Sequence, residues 1–325
     1  MNRDTLLELL RCHATPGDEA EVAAVLARIW RRAGLVVTRL GDYALAASAP
    51  RTRRAPVLLI AAHMDSPGFA VDRLPSAPRA AAGLTCLGRP AWSGRCAAGV
   101  LKTRAGRLPV TIRTRRQRGG ADFACTPVAP AAWPADLAHG DRVCFAAAPE
   151  FAGDRVAAPF LDNRLGCWLL AELAGRIGGW RTPWRVVLGA AGTEETGGFG
   201  AAVLARHVQP GLAIVLDATY EAPAQGVRRG GGPVLTLSDA SVLLPPARRD
   251  RVRGLLAAAG VPLQTEVYNF SGTDARAFPL QGLACPVLPL LLATTGNHTP
   301  RETADLRDAA ALLDALEVLA REEWP

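Results

Sequence analysis

The stretch "APVLLIAAH" (residues 55–63) decides the fold. Between Pro56 and His63 every residue is apolar, with none of the in–out alternation of a strand that wets one face. An unbroken run of this length, rich in branched side chains, fits a strand covered on both sides, as in parallel sheets sandwiched by helices. The runs "WRVVLGAA" (184–191), "LAIVLDAT" (212–219) and "PVLPLLLA" (286–293) repeat the texture, and "LVVTRL" (35–40), "YALAAS" (43–48), residues 233–238 and "PLQTEVYNF" (262–270) add shorter strands. Helical patterns fall between them. "GDEAEVAAVLARIWRRAG" (17–34) opens on acidic residues and closes on arginines and a glycine, and "NRLGCWLLAELAGRI" (163–177) follows Asp162. Further helices are expected near 198–207, 247–259, from about 273, and near 303–321. The alternation predicts an α/β protein, a layered α/β/α body with a mostly parallel, mixed sheet. From 72 to 153 the texture changes to short β-like pieces between Pro, Gly and Arg, such as "GVLKTRAGRLPVTIRT" (99–114) and "DRVCFAAAPEF" (141–151), with no helical period. The expected organisation is a discontinuous body, 1–71 with 154–325, interrupted by a β-rich insertion at 72–153.

Composition narrows the functional classes. A chain of 325 residues that is 49% hydrophobic can bury a large core and still support a smaller second unit. Its 37 basic and 30 acidic residues leave +7, almost all of it arginine, since Lys102 is the only lysine. The arginines stand in short scattered runs, "RTRR" (51–54) and "RTRRQR" (113–118), which read as solvated surface and give no nucleic-acid partner. No apolar run approaches the roughly 20 residues needed to cross a bilayer, so no membrane association and a cytoplasmic location are expected. The seven cysteines are odd in number, widely spaced and without a CxxC pair, which suits free thiols in a reducing compartment and argues against a thiolate zinc site.

The informative polar residues sit where strands end. His63 and Asp65 follow "LLIAA", Glu194 and Glu195 follow "VVLGAAGT", Asp217 ends "AIVL", and His298 comes just after "VLPLLLATTGN". Ligand sites of open α/β sheets lie outside the carboxyl ends of strands, so these residues can converge. Asp162 opens a helix, where a carboxylate also serves as an N-cap. Singly, each has an ordinary explanation: a strand-end histidine, a solvated Glu pair, a turn aspartate, a turn at "NHTP". As a set, His63, Asp162, Glu195, Asp217 and His298 offer two imidazoles and three carboxylates, a donor set for two divalent ions about 3.5–4 Å apart that share one carboxylate. Adjacent residues of an extended segment point in different directions. Glu195 can therefore ligate while Glu194 faces the water between the ions and takes its proton as general base. Asp65 can accept the second N–H of His63 and fix its tautomer.

The motifs "LLIAAHMDSPGFAV" (58–71), "APFLDNRLGCWLLAEL" (158–173), "GTEETGGFGA" (192–201), "IVLDAT" (214–219), "SGTDARAF" (271–278) and "NHTPRETADLRD" (297–308) together resemble the glutamyl aminopeptidase and tetrahedral aminopeptidase family of two-metal cytoplasmic exopeptidases. The resemblance implies His63 and Asp217 on one metal, Glu195 and His298 on the other, Asp162 as the bridge, Glu194 as the base and Asp65 orienting His63. It implies that the insertion is a small barrel-like domain used in assembly, and that the chain self-associates into a dimer or a larger, dodecameric shell. A domain's length separates His63 from Asp162, where leucyl aminopeptidase and glutaminyl cyclase relatives carry a short loop. Between Asp217 and His298 there is no room for the dimerisation domain of carboxypeptidase and aminoacylase relatives. The sequence departs from the family pattern at Ser66 and Pro67 in "HMDSPG", and in "TTGNHTP", which lacks the usual arginine and tyrosine. The implied function is hydrolysis of the N-terminal bond of peptides with two divalent ions, zinc first and cobalt or manganese as substitutes. Asp274 is a candidate partner for the free amino group. The alternatives are a two-metal deacylase or carboxypeptidase on small acylated amino acids or peptides, and a catalytically silent scaffold.

Overall fold

The computed structural model describes residues 1–50, 55–92, 94–117, 120–268 and 270–324; the arginine run 51–54 and the side chains of 115–121 lie outside the described residues. Four parallel strands form the middle of an eleven-stranded sheet, in the spatial order Arg185–Ala191, Val57–His63, Leu212–Tyr220 and Val287–Thr295. Antiparallel strands complete both sides, Ala44–Ser48 and Val36–Leu40 at one edge and Glu302–Asp305, Arg155–Ala158 and Glu150–Ala152 at the other. The sheet is therefore mixed, with a parallel centre.

The opening run behaves as its composition demands. Leu58, Ile60 and Ala62 enter the core under the helices Arg3–Arg11, Ala20–Arg32, Leu161–Ala174 and Leu306–Ala320, while Val57, Leu59 and Ala61 enter the opposite core under Phe199–Val208 and Ala277–Leu280. Leu58, Leu59 and Ile60 are fully buried, and burial of each contributes about 1.5–3 kcal/mol. A polar residue at any of these positions would break one helix layer from the sheet.

Some elements differ from the sequence reading for local reasons. The last helix begins at Leu306, because Glu302–Asp305 pairs as a strand with Arg155–Ala158, and Asp305 caps the helix by accepting the Arg307 N–H. The segment after 273 is a 3₁₀ turn, Asp274–Arg276, followed by the short helix Ala277–Leu280, which contains Pro279 and stops before the left-handed Gly282. The first helix, Arg3–Arg11, starts at an Asn2 side chain that accepts from Asp4 N–H.

Six strands, Gly68–Arg73, Ala82–Leu87, Gly120–Pro127, Gly106–Gln117, Cys96–Thr103 and Arg142–Phe145, close into a barrel in that order. The barrel has its own aromatic core, with Phe69 at 5.1 Å from Phe123 and edge-on to Phe145 at 5.9 Å, centroid to centroid. It begins five residues after His63, and Gly68 makes the junction possible: a β-carbon there would meet Thr15 Cγ2 at 2.5 Å and the Val143 carbonyl at 2.8 Å. No helix among the described residues is long and apolar enough to cross a membrane.

Candidate metal centre

Sheet register brings the candidate side chains to one edge. His63 pairs with Ala191, two residues before Thr193, and Ala62 pairs with Leu216, so His63, Asp217 and the Glu194–Glu195 bend leave the sheet side by side. The imidazole Nε2 of His63 lies 3.2 Å from Asp217 Oδ1 and 3.3 Å from Asp162 Oδ1. The Nε2 of His298 lies 3.4 Å from Asp162 Oδ2 and 3.4 Å from Glu195 Oε1. The Asp162 carboxylate thus stands between the two rings, one oxygen toward each. Three overlapping donor groups result, His63–Asp162–Asp217, Asp162–Glu195–His298 and His63–Glu194–Glu195, each with one ligand atom per residue within 4.8 Å of the others.

The residues fit a pair of cations. Asp162 Oδ1 and Glu195 Oε1 are buried with no hydrogen-bond donor, and among the described residues the ion-pair partners of Asp162, Asp217 and Glu195 are the two histidines alone. Three buried carboxylates against two histidines leave negative charge uncompensated, at a cost of several kcal/mol that divalent ions offset. Nitrogen and oxygen donors of this kind suit zinc and its first-row neighbours. Burial pushes Glu195 well above the usual carboxylate range, reinforced by the charge of Asp162, and burial lifts Asp217 in the same direction. Burial also raises Glu194 far up, a shift that the His63 charge opposes and Asp274 strengthens. Although burial opposes it, His63 is pulled well above its ordinary value by Asp217, and His298 is drawn up to about 9 by Asp162. Asp162, despite its burial, is held low by His298 and His63.

The supporting bonds set the directions of these groups. His298 Nδ1 donates to the Arg89 carbonyl at 3.0 Å, which turns the Nε2 lone pair toward the site. His63 Nδ1 stands 3.1 Å from the Asp65 carbonyl oxygen and 3.6 Å from its carboxyl Oδ1. The Asp65 carboxylate accepts the backbone N–H groups of Glu194 at 3.0 Å and Glu195 at 3.1 Å, fixing the bend that carries both glutamates. Three of the four non-glycine residues with left-handed backbone among the described residues are Phe160, Thr193 and His298, all at or beside these positions. Such conformations cost about 1–3 kcal/mol each and persist where the surroundings hold them.

Sequence reasoning missed several members of this shell. Glu302, buried and pushed up to about 8 by its burial and by the Asp162 charge, accepts the backbone N–H groups of both Asp162 and His298. Asn297 donates to Asp162 Oδ2 at 3.5 Å and accepts from Thr294 Oγ1 at 2.6 Å. Arg164 is fully buried and donates to the carbonyls of Leu9, Met64 and Ala14 and to Ser66 Oγ, which in turn donates to the Asp162 carbonyl. The signals were thin: a glutamate four residues after a candidate ligand, and an arginine two residues after another. Asp274 is buried beside Gly198 with neither carboxyl oxygen hydrogen-bonded, and does not line the cavity at the site. That cavity, about 460 Å³, runs from the six converging side chains past Tyr220, Glu266 and Tyr268 toward the exposed ring of Phe270.

Among solved structures the fold is shared with a TET aminopeptidase from a marine-sediment Thaumarchaeota archaeon, at a TM-score of 0.88 and 22% identity over 98% of this chain and 96% of that one. It is shared likewise with the Pyrococcus horikoshii TET1 peptidase, at 0.84 and 21% over 99% of each. A glutamyl aminopeptidase of Lactococcus lactis is 26% identical over 289 residues, covering 80% of this chain and 79% of its own. The chain spans about half the length of the first curated relatives it matches, 52% of one from Acetivibrio thermocellus and 46% of one from Escherichia coli. Residues 134–314, more than half of the sequence and home to all the candidate ligands except His63, match the profile described as M42 glutamyl aminopeptidase, and the chain belongs to that family.

Proposed function

We propose that the protein is a metal-dependent aminopeptidase that hydrolyses the N-terminal bond of peptides, and one observation carries the reading: the Asp162 carboxylate lies between the Nε2 atoms of His63 and His298. His63 and Asp217 would hold one divalent ion, Glu195 and His298 the other, and Asp162 both. When bound, the ions supply Lewis acidity that polarises the scissile carbonyl and acidifies water. Glu194, whose proton affinity is raised by its burial, takes the proton of the attacking water and returns it to the leaving amine. Asp65 keeps Glu194 on station through its backbone N–H. The cavity beyond Tyr220 gives the first side chain of the substrate its place.

Zinc is the first choice of ion, with cobalt and manganese compatible with the same donors. The P. horikoshii TET1 peptidase is described as assembling into a tetrahedron or a large octahedral shell, and another similar structure as a dodecamer. On this reading the present chain self-associates too, through a β-rich unit at 72–153 inserted in a body of 1–71 and 154–325, and works on peptides in the cytoplasm.

The test is a panel of peptides in free-amine, N-acetylated and C-terminally amidated forms, incubated with protein before and after chelation and readdition of zinc, cobalt or manganese. Release of the first residue from free-amine peptides only, lost on chelation and regained with metal, is the expected result. Equal cleavage of acetylated peptides, dependence on a free carboxyl terminus, or activity that survives chelation overturns it.

A further inference from the structure

We infer that Glu302 is the positioning residue for one ion site in particular, the one built from Asp162, Glu195 and His298; the inference rests on the two-ion reading above. Asp162 and His298 reach the site from distant parts of the chain, the start of the helix Leu161–Ala174 and the loop after Val287–Thr295. Neither is held on a strand, as His63 and Asp217 are by the parallel register of the central sheet. Their side chains meet at the site, and their backbone amides share a single carboxylate. Glu302 Oε2 accepts the Asp162 N–H at 2.9 Å, and Glu302 Oε1 accepts the His298 N–H at 2.9 Å.

The clamp is itself anchored. Glu302 is 1% exposed and opens the strand Glu302–Asp305, paired with Ala158 just ahead of Asp162, so its backbone is fixed by the sheet. Both carboxyl oxygens are occupied by amides of ligand residues, and no arginine or lysine among the described residues shares them. Two N–H groups converging on one side chain require an acceptor at each of its branches. A carboxylate has two, whereas a glutamine offers one acceptor and turns an NH₂ toward the second amide. The left-handed backbone of His298, at φ 67°, adds to the need, because that conformation persists only where neighbours hold it. The Asp65 carboxylate serves the Glu194–Glu195 bend in the same way, so Glu302 completes a pair of buried carboxylates that hold the backbone of the site.

Partners of this kind typically change metal affinity by about 10–100-fold when lost. The experiment titrates metal-free wild type, Glu302→Gln and Glu302→Asp with zinc by calorimetry, and counts bound ions after dialysis at buffered free zinc. Circular dichroism of the metal-free proteins checks that each is folded. Wild type is expected to take up two ions. Glu302→Gln should weaken the binding step of the His298 site about 10–100-fold and that of the other site, which shares only Asp162, by clearly less, and Glu302→Asp, which keeps both acceptors on a shorter stem, should recover part of that loss. Two ions bound by Glu302→Gln with wild-type affinity, parallel weakening of both steps, or no recovery in Glu302→Asp overturns the assignment of Glu302 alone. Fewer than two ions in wild type overturns the two-ion reading and this inference with it.

Discussion

The sheet and the barrel divide the work unevenly. Seven candidate side chains, His63, Asp65, Asp162, Glu194, Glu195, Asp217 and His298, stand on or beside the large sheet, and the six barrel strands carry none of them. The barrel instead reaches the site through the segment after Ala82–Leu87, where the Arg89 carbonyl accepts from His298 Nδ1 and the Ala91 N–H donates to the His298 carbonyl. The two regions also have different interiors. Aliphatic side chains on alternate faces stitch the sheet to two helix layers, whereas the barrel closes on an aromatic cluster of its own. Chemistry gathers where parallel strands end together, because there neighbouring chains deliver side chains at fixed spacing. A small closed barrel fills its interior with side chains and has no such edge to offer.

That division can be broken or sharpened by measurement. The largest effect should come from chelation, which removes all peptide cleavage and leaves the barrel folded; intrinsic tryptophan fluorescence and an activity assay on the same sample separate the two. Next, Glu194→Gln should lower kcat by about 10²–10⁴-fold while bound-metal content, read by elemental analysis, stays at the wild-type level. Within the barrel, Phe69→Ala should cost about 3–5 kcal/mol of stability, seen as a shifted urea midpoint. Bound metal should survive below the transition, and a variant that loses its metal in native buffer would show that the barrel does more than abut the site.

The smallest effect lies at the seam. His13 is buried against Asp18 at 3.4 Å, and Asp18 in turn meets Lys102 of the barrel at 2.8 Å. Burial works against the charged ring, yet Asp18 and the neighbouring Cys144 lift His13 from 6.5 to about 9. A histidine whose folded value is raised contributes stability that is complete below pH 6.5 and fades as pH climbs toward 9. The contribution is at most about 3 kcal/mol at 1.36 kcal/mol per pKa unit. Melting temperatures of wild type should therefore fall between pH 6.5 and 9, and His13→Gln should flatten that slope; equal slopes in both proteins would remove His13 from the seam.

Much of the architecture was legible because apolar continuity and turn residues report burial directly. The run at 57–62, the three that echo it and the β-texture after 72 gave the mixed sheet, its helix layers and the barrel-like insertion. Register then explains why His63, Glu195, Asp217 and His298 meet, since His63 and Asp217 stand on neighbouring central strands while Glu195 and His298 follow the ends of the two that flank them. Glu302 and Arg164 were illegible for a different reason. Their partners are backbone amides and carbonyls, and a main-chain atom leaves no trace in residue type. The Asp65 carboxylate was visible as a polar residue near His63, but its bonds to the Glu194 and Glu195 amides needed coordinates. The helix from 273 shortened because Pro279 and Gly282 outweighed local propensity.

The order of the central strands has a consequence for synthesis. Val57–His63, the first of the four to leave a ribosome, ends up flanked by Arg185–Ala191 and Leu212–Tyr220, both made much later, and His298 with its clamp Glu302 comes after all of them. A nascent chain therefore holds this strand without its partners while residues 64–184 are made, and cannot bring His298 to the other candidate ligands until nearly the whole of this sequence has emerged.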